Sequence, residues 1–152
     1  MPDKPKTILF VEDDMVLMVA YGNCLRRAGY VVATASDGLA AMKILNEAVP
    51  DLIVLDLMMP RFNGVEVFKF IRANPRLKKI PVIIFSTNSI IEAANELVLE
   101  SASKRLIKGV CTATMLLEAV QELLPDGSAE ITARPPNDLL RSLSPVPETV
   151  AA

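Results

Sequence analysis

Four sets of side chains in this sequence are suited to handling phosphorus and divalent cations. They are the run Glu12, Asp13 and Asp14, the isolated Asp56, the hydroxyl of Ser86 and the ammonium of Lys108. Each follows a short apolar run: TILFV before the acids, LIVL before Asp56, PVIIF before Ser86 and LI before Lys108. Carboxylates are hard-cation ligands, and an aspartate can also act as a nucleophile toward phosphorus. Two carboxylates held about 4 Å apart repel by roughly 4 kcal/mol at an effective dielectric near 20, so such a cluster favours a divalent cation. Mg²⁺ is the natural choice beside a phosphate. A serine hydroxyl and a lysine can offset the charge on transferring oxygens. Together these residue types point to phosphoryl transfer onto Asp56. Helix capping is the plainer use of Asp13 and Asp14, but it explains only one or two acids of the three.

That chemistry requires the four sets to meet, and the pattern of elements supplies the means. Residues 7–11 read as a buried strand leading into a helix over 15–28, closed by Gly29. A second strand is expected over 30–35, with Asp37 and Gly38 turning into a helix over 39–48 that Pro50 ends. The third strand, 52–55, ends at Asp56, and Pro60 and Gly64 follow as turn-formers. Gly64 opens a helix with Val65, Phe68 and Ile71 on one face, ending near Asn74 and Pro75. A fourth strand over 81–85 leads through Ser86, Thr87, Asn88 and Ser89 into a helix near 90–100. The fifth strand, 105–108, is followed by Thr112 as cap of a last helix bearing Met115, Leu116, Ala119, Val120 and Leu123. Five strands alternating with helices predict an α/β fold, a parallel sheet with helices on both faces and right-handed crossovers. Ligands of such sheets gather outside the carboxyl ends of the strands, where all four sets lie.

The bulk properties bound the rest. With 152 residues, 51% hydrophobic and 22% charged, the chain is expected to bury a full core in one domain. A net charge of −2 argues against a general nucleic-acid surface. Arg72, Arg76, Lys78 and Lys79 form a local basic cluster, expected to be solvated. No histidine is present, which excludes Ser-His and Cys-His pairs and histidine metal ligands. Cys24 and Cys111 are expected as free buried thiols. The start, MPDKPK, lacks the apolar core of a signal peptide, and no run is long enough to span a membrane, so the expectation is a cytoplasmic protein. Beyond Leu124, five prolines appear among polar residues. Residues 125–152 are expected to form a flexible or docking tail, with Leu139, Leu140 and Leu143 as a small apolar face.

ILFVEDD at 8–14, DLIVLDLMMP at 51–60, PVIIFST at 81–87 and LIK at 106–108 resemble the response-regulator receiver domain, CheY-like and stand-alone. Thirty positions separate Asp56 from Ser86 and 22 separate Ser86 from Lys108, as in that family. The resemblance covers 6–124 and implies a flavodoxin-like, doubly wound five-stranded parallel sheet of order 2-1-3-4-5. It implies Asp56 as phosphoacceptor, with Ser86 and Lys108 as catalytic and switch residues. Asp13, Asp56, the Met58 backbone oxygen and, through water, Glu12 would hold Mg²⁺ or Mn²⁺. Asp14 matches a commonly acidic position beside them. Met58 and Asn88, each two positions past a site residue, would flank the water that hydrolyses the acyl phosphate. The implied function is a single-domain response regulator of a two-component phosphorelay. Its phosphoryl donor would be a sensor histidine kinase or histidine phosphotransfer protein, and its output a downstream protein target, without nucleic acid or membrane. Such a module is not an enzyme beyond its own phosphotransfer and dephosphorylation.

Two positions depart from the family pattern. Gly109 follows the lysine where proline, with a cis peptide, is common. Arg105 replaces the usual Tyr or Phe of the switch, and is expected to stay at the surface as a partner contact. The runner-up is a receiver-like scaffold that does not turn over phosphate. A haloacid-dehalogenase-type phosphatase is disfavoured because Met58 stands where its second, acid/base aspartate would be.

Overall fold

The computed structural model describes residues 4–59, 63–87 and 101–125. Within them lie β1 (Thr7–Val11), α1 (Met15–Arg27), β2 (Val31–Ala35), α2 (Gly38–Glu47), β3 (Leu52–Leu55), α3 (Gly64–Ala73), β4 (Val82–Ser86), β5 (Lys104–Ile107) and α4 (Ala113–Leu123). All strand pairs are parallel, and the sheet order is β2-β1-β3-β4-β5. This is the doubly wound order expected. The expected helix over 90–100, Asn88 and the tail with Leu139, Leu140 and Leu143 lie outside the described residues.

Strand alternation explains the two cores. Leu9, Val11, Ile53, Leu55, Val82 and Ile84 face one side and pack with Ala41, Leu45, Val67 and Phe68 from α2 and α3. Ile8, Phe10, Leu52, Val54, Ile83 and Phe85 face the other and pack with Leu25 of α1 and Leu116 and Val120 of α4. Successive side chains point to opposite faces, so strands covered on both sides must be apolar throughout. At the opposite end from the strand-tip acids, Asp51 ties β3 to β1: its carboxylate accepts from the Thr7 amide at 2.8 Å and hydroxyl at 3.1 Å.

Local signals set the helix ends. The carboxylate of Asp14 accepts from the amides of Val16 and Leu17, that of Asp37 from Ala40, the side-chain oxygen of Asn63 from Val65, and the hydroxyl of Thr112 from Met115. These are N-caps that satisfy otherwise orphaned amides. At the far end of α1, Gly29 takes φ 102°, the Gly29 amide donates to Arg26 O and the Tyr30 amide to Leu25 O. That is a Schellman closure, which needs glycine for its left-handed residue.

Three details differ from the sequence reading. Ser86 belongs to β4, whereas Lys108 lies just past β5 in the following turn, because ladder pairing ends at Ser86 opposite Ile107. Arg72 is not a solvated charge. Its guanidinium donates to the carbonyls of Ser101, Lys78 and Ile80 and lies 5.1 Å from the Phe68 ring centroid, tying α3 to the approach of β5. Cys111 is buried as expected, but Cys24 is only half-buried.

Gly64 positions the site most directly. Its amide donates to Leu57 O, and a Cβ there would meet the Asp56 carbonyl oxygen at 2.2 Å and Leu57 Cα at 2.5 Å. These are backbone atoms of the β3 tip, so nothing yields without moving Asp56. Gly109 has no atom within 4 Å of its would-be Cβ. Gly64→Ala is therefore expected to lower stability by about 1–3 kcal/mol, the usual cost of overpacking. Gly109→Ala should stay within about 0.5 kcal/mol of the parent. Urea-unfolding midpoints of the two variants check this, and equal midpoints would contradict it.

Candidate functional site

The ends of β1, β3, β4 and β5 deliver their polar residues to one edge of the sheet. Asp56 is 1% exposed, and Glu12 and Ser86 are fully buried. Oδ1 of Asp56 accepts from the Ser86 hydroxyl at 2.9 Å and from the Met58 amide at 3.0 Å. Lys108 Nζ lies 2.8 Å from Asp56 Oδ2 and 2.7 Å from Glu12 Oε1. The other Glu12 oxygen accepts from the Asp14 amide at 2.9 Å. Asp13, one residue on and past the end of β1, is exposed.

Glu12, Asp13 and Asp56 each place a carboxylate oxygen within 4.8 Å of the others. The donors are all hard oxygens, and their charge exceeds that of the single lysine, so the residues fit a hard divalent cation. Asp13 and Asp56 border a cleft of roughly 450 Å³ lined also by Asp14, Met58, Met59, Thr87 and Lys108. Met58 is exposed at its rim. Asp14 is a helix cap that also reaches this cleft, so both readings of it hold. Arg105 is exposed on β5 and takes no part in the cluster, as expected. No cis peptide occurs among the described residues, including the bond after Lys108.

Burial pushes the Glu12 carboxyl up to about 7; hydrogen bonds from Lys108 and the Asp14 amide act against that rise, and the charge of Asp56 adds to it. Lys108 is held above its ordinary value: burial would lower it, but its bonds to Asp56 and Glu12 outweigh that. The sequence reading separated the two acids as direct and water-bridged metal ligands but did not anticipate that Glu12 is buried and Asp13 exposed.

The model of the response regulator receiver domain family matches residues 8–121. The chain belongs to that family. The polar-differentiation response regulator DivK of Brucella anthropi is 27% identical over 122 residues, covering 80% of this chain and 98% of DivK. Chemotaxis response regulator CheY4 of Vibrio cholerae superposes with a TM-score of 0.71 at 28% identity, covering 79% of this chain and 99% of CheY4. The receiver domain of a sensor histidine kinase from Pseudomonas aeruginosa PAO1, with a magnesium ion in its active-site cleft, gives a TM-score of 0.71 at 25% identity, covering 80% and 99%. As a receiver domain the chain is a signalling module, homologous to stand-alone response regulators such as DivK and CheY. No helix among its described residues is long and apolar enough to cross a membrane.

The Glu12 carboxyl has a testable consequence in chelator-treated receiver domain. Its folded pKa of about 7 lies above the ordinary 4.5, so between those values the folded state binds more protons than the unfolded state. Stability therefore falls as pH rises through 4.5 to 7 and levels off above, by up to about 3 kcal/mol. Glu12→Gln should flatten this slope, as read from urea unfolding at several pH values. Identical slopes in parent and variant would contradict the assignment.

Proposed function

We propose that Asp56 is the phosphoacceptor of a single-domain response regulator spanning 6–124. The observation that carries this is the convergence of Asp56, Ser86, Lys108 and the Glu12–Asp13 pair from four separate strands. In this reading an Asp56 carboxylate oxygen attacks the phosphorus of a phosphohistidine on a sensor kinase or histidine phosphotransfer protein. The new P–O bond gives an acyl phosphate, and the broken P–N bond returns its electron pair to the donor imidazole. The donor histidine lies outside this sequence, which has none. Lys108 offsets the oxygen charge, and Ser86 supplies a hydrogen bond.

Asp13, Asp56, the Met58 backbone oxygen and, through water, Glu12 are the residues to hold Mg²⁺ or Mn²⁺. The bound metal would neutralise charge developing on the phosphoryl oxygens. The magnesium of the Pseudomonas receiver and the Mg²⁺–BeF complex of the TrrA response regulator of Thermotoga maritima, 29% identical, support that choice. The working compartment is the cytoplasm, and the output is binding to a protein target rather than to nucleic acid or membrane.

The Ser86 hydroxyl bonds to Asp56 Oδ1 at 2.9 Å, within reach of a phosphoryl oxygen on that carboxylate. A large serine swing is unnecessary. Arg105, exposed, serves as a partner contact and does not copy a buried ring.

Incubation with a small acyl-phosphate donor and Mg²⁺ should add one phosphoryl mass to the parent and none to Asp56→Asn. Equal labelling of both would overturn the acceptor. Met58 offers no good hydrogen bond to orient water, although Asn88 could contribute one. Self-hydrolysis should therefore be slow, and Met58→Asn should shorten the phosphoryl half-life by up to about 100-fold, the lower end of the range for positioned proton-transfer groups. An unchanged half-life would remove Met58 from that role.

A further inference from the structure

Lys108 makes the two shortest charged contacts of the site, and a turn containing Gly109 carries it. The Lys108 amide donates to Ser86 O at 3.0 Å, and the amides of Val110 and Cys111 both donate to Ile107 O, at 3.1 and 2.9 Å. Between them stands Gly109, exposed and with open space where a Cβ would sit. Glycine leaves the backbone maximal freedom. A further restraint reaches the turn from α1. The Tyr21 hydroxyl donates to the carbonyl of Cys111, whose side chain is 4% exposed in the core shared by α1 and α4.

The same tyrosine reaches the lysine by a second route. Its ring lies 5.3 Å from the ring of Phe85, tilted by 41°, and Phe85 also meets Phe10 edge-on at 6.2 Å. Lys108 Nζ sits 5.7 Å from the Phe85 centroid. Tyr21 thus holds both the turn behind the lysine and the ring beneath its ammonium. Burial, and then Cys111, raise the phenol above its ordinary value, so it remains a donor.

We propose that Tyr21 is a positioning residue for Lys108, its hydroxyl latching the Lys108–Cys111 turn to α1 in place of a stiff residue after the lysine. It acts through Lys108 and touches no reacting atom. The inference rests on Asp56 as the phosphoacceptor and adds a residue 35 positions away in sequence.

The test compares the parent, Tyr21→Phe, Gly109→Ala and the double variant, each as the full chain. Phosphorylation by a small acyl phosphate is followed at saturating Mg²⁺, Mg²⁺ affinity by calorimetry, and amide hydrogen exchange by NMR. Tyr21→Phe keeps the ring and removes only the latch. It should slow phosphorylation by about two- to tenfold, the span expected for one hydrogen bond. Mg²⁺ affinity should be unchanged, and exchange should quicken at Lys108, Val110 and Cys111. Gly109→Ala alone should match the parent, whereas in the double variant it should restore most of the lost rate by stiffening the turn. A parent rate in Tyr21→Phe would overturn the inference while leaving Asp56 as acceptor. So would a slowed rate that Gly109→Ala does not recover, or one accompanied by faster exchange throughout α1 and α4. Failure of the parent itself to be phosphorylated would remove the acceptor reading, and this inference with it.

Discussion

Lys108 between Glu12 and Asp56 is the interaction on which the rest of the structure depends. Two buried carboxylates at one sheet edge would be intolerable without a cation, and contacts of 2.7 and 2.8 Å from a single ammonium make them tolerable. Desolvation of such groups costs several kcal/mol each, so the arrangement persists only because every member has partners. Asp56 has Ser86, Met58 and Lys108; Glu12 has Lys108 and the Asp14 amide. The cluster stores binding potential for a stronger cation and keeps Asp56 oriented. Removing Lys108 takes the cation from both carboxylates at once.

The sheet order exists to make this meeting possible. Glu12 and Asp56 are 44 positions apart, but β1 and β3 are neighbours at the point where the order reverses, and the crevice there faces outward at the strand tips. β4 and β5 then bring Ser86 and the Lys108 turn alongside in sequence order. The apolar strands and their two cores fix the tips, and the tight seat of Gly64 against Asp56 and Leu57 keeps the third tip from shifting. Stability is spent in the cores so that charge can be concentrated at the edge.

How much of this was legible depends on whether a residue's role is set by its own strand or by distant chain. The LIVL run before Asp56 and the TILFV run before the acids announce buried strands with polar tips, and the caps Asp14, Asp37 and Thr112 announce their helices. Those are local signals, and the structure follows them. Arg72 was misread as solvated because its partners are carbonyls, one of them at Ser101, 29 positions away. Carbonyls carry no side-chain signature. The latch from Tyr21 to Cys111 spans 90 positions and was invisible for the same reason. Strand ends shifted by one residue at β4 and β5 because pairing with a neighbour, not composition, decides where a ladder stops.

The account stands or falls on which carboxylate takes the phosphoryl group. Borohydride reduction of the phosphorylated protein converts an aspartyl phosphate to homoserine, which peptide mass spectrometry locates in the chain. Homoserine at position 56 alone is the predicted result. Homoserine at position 13, 14 or 51, or its absence from a protein that has gained phosphate, would contradict the account.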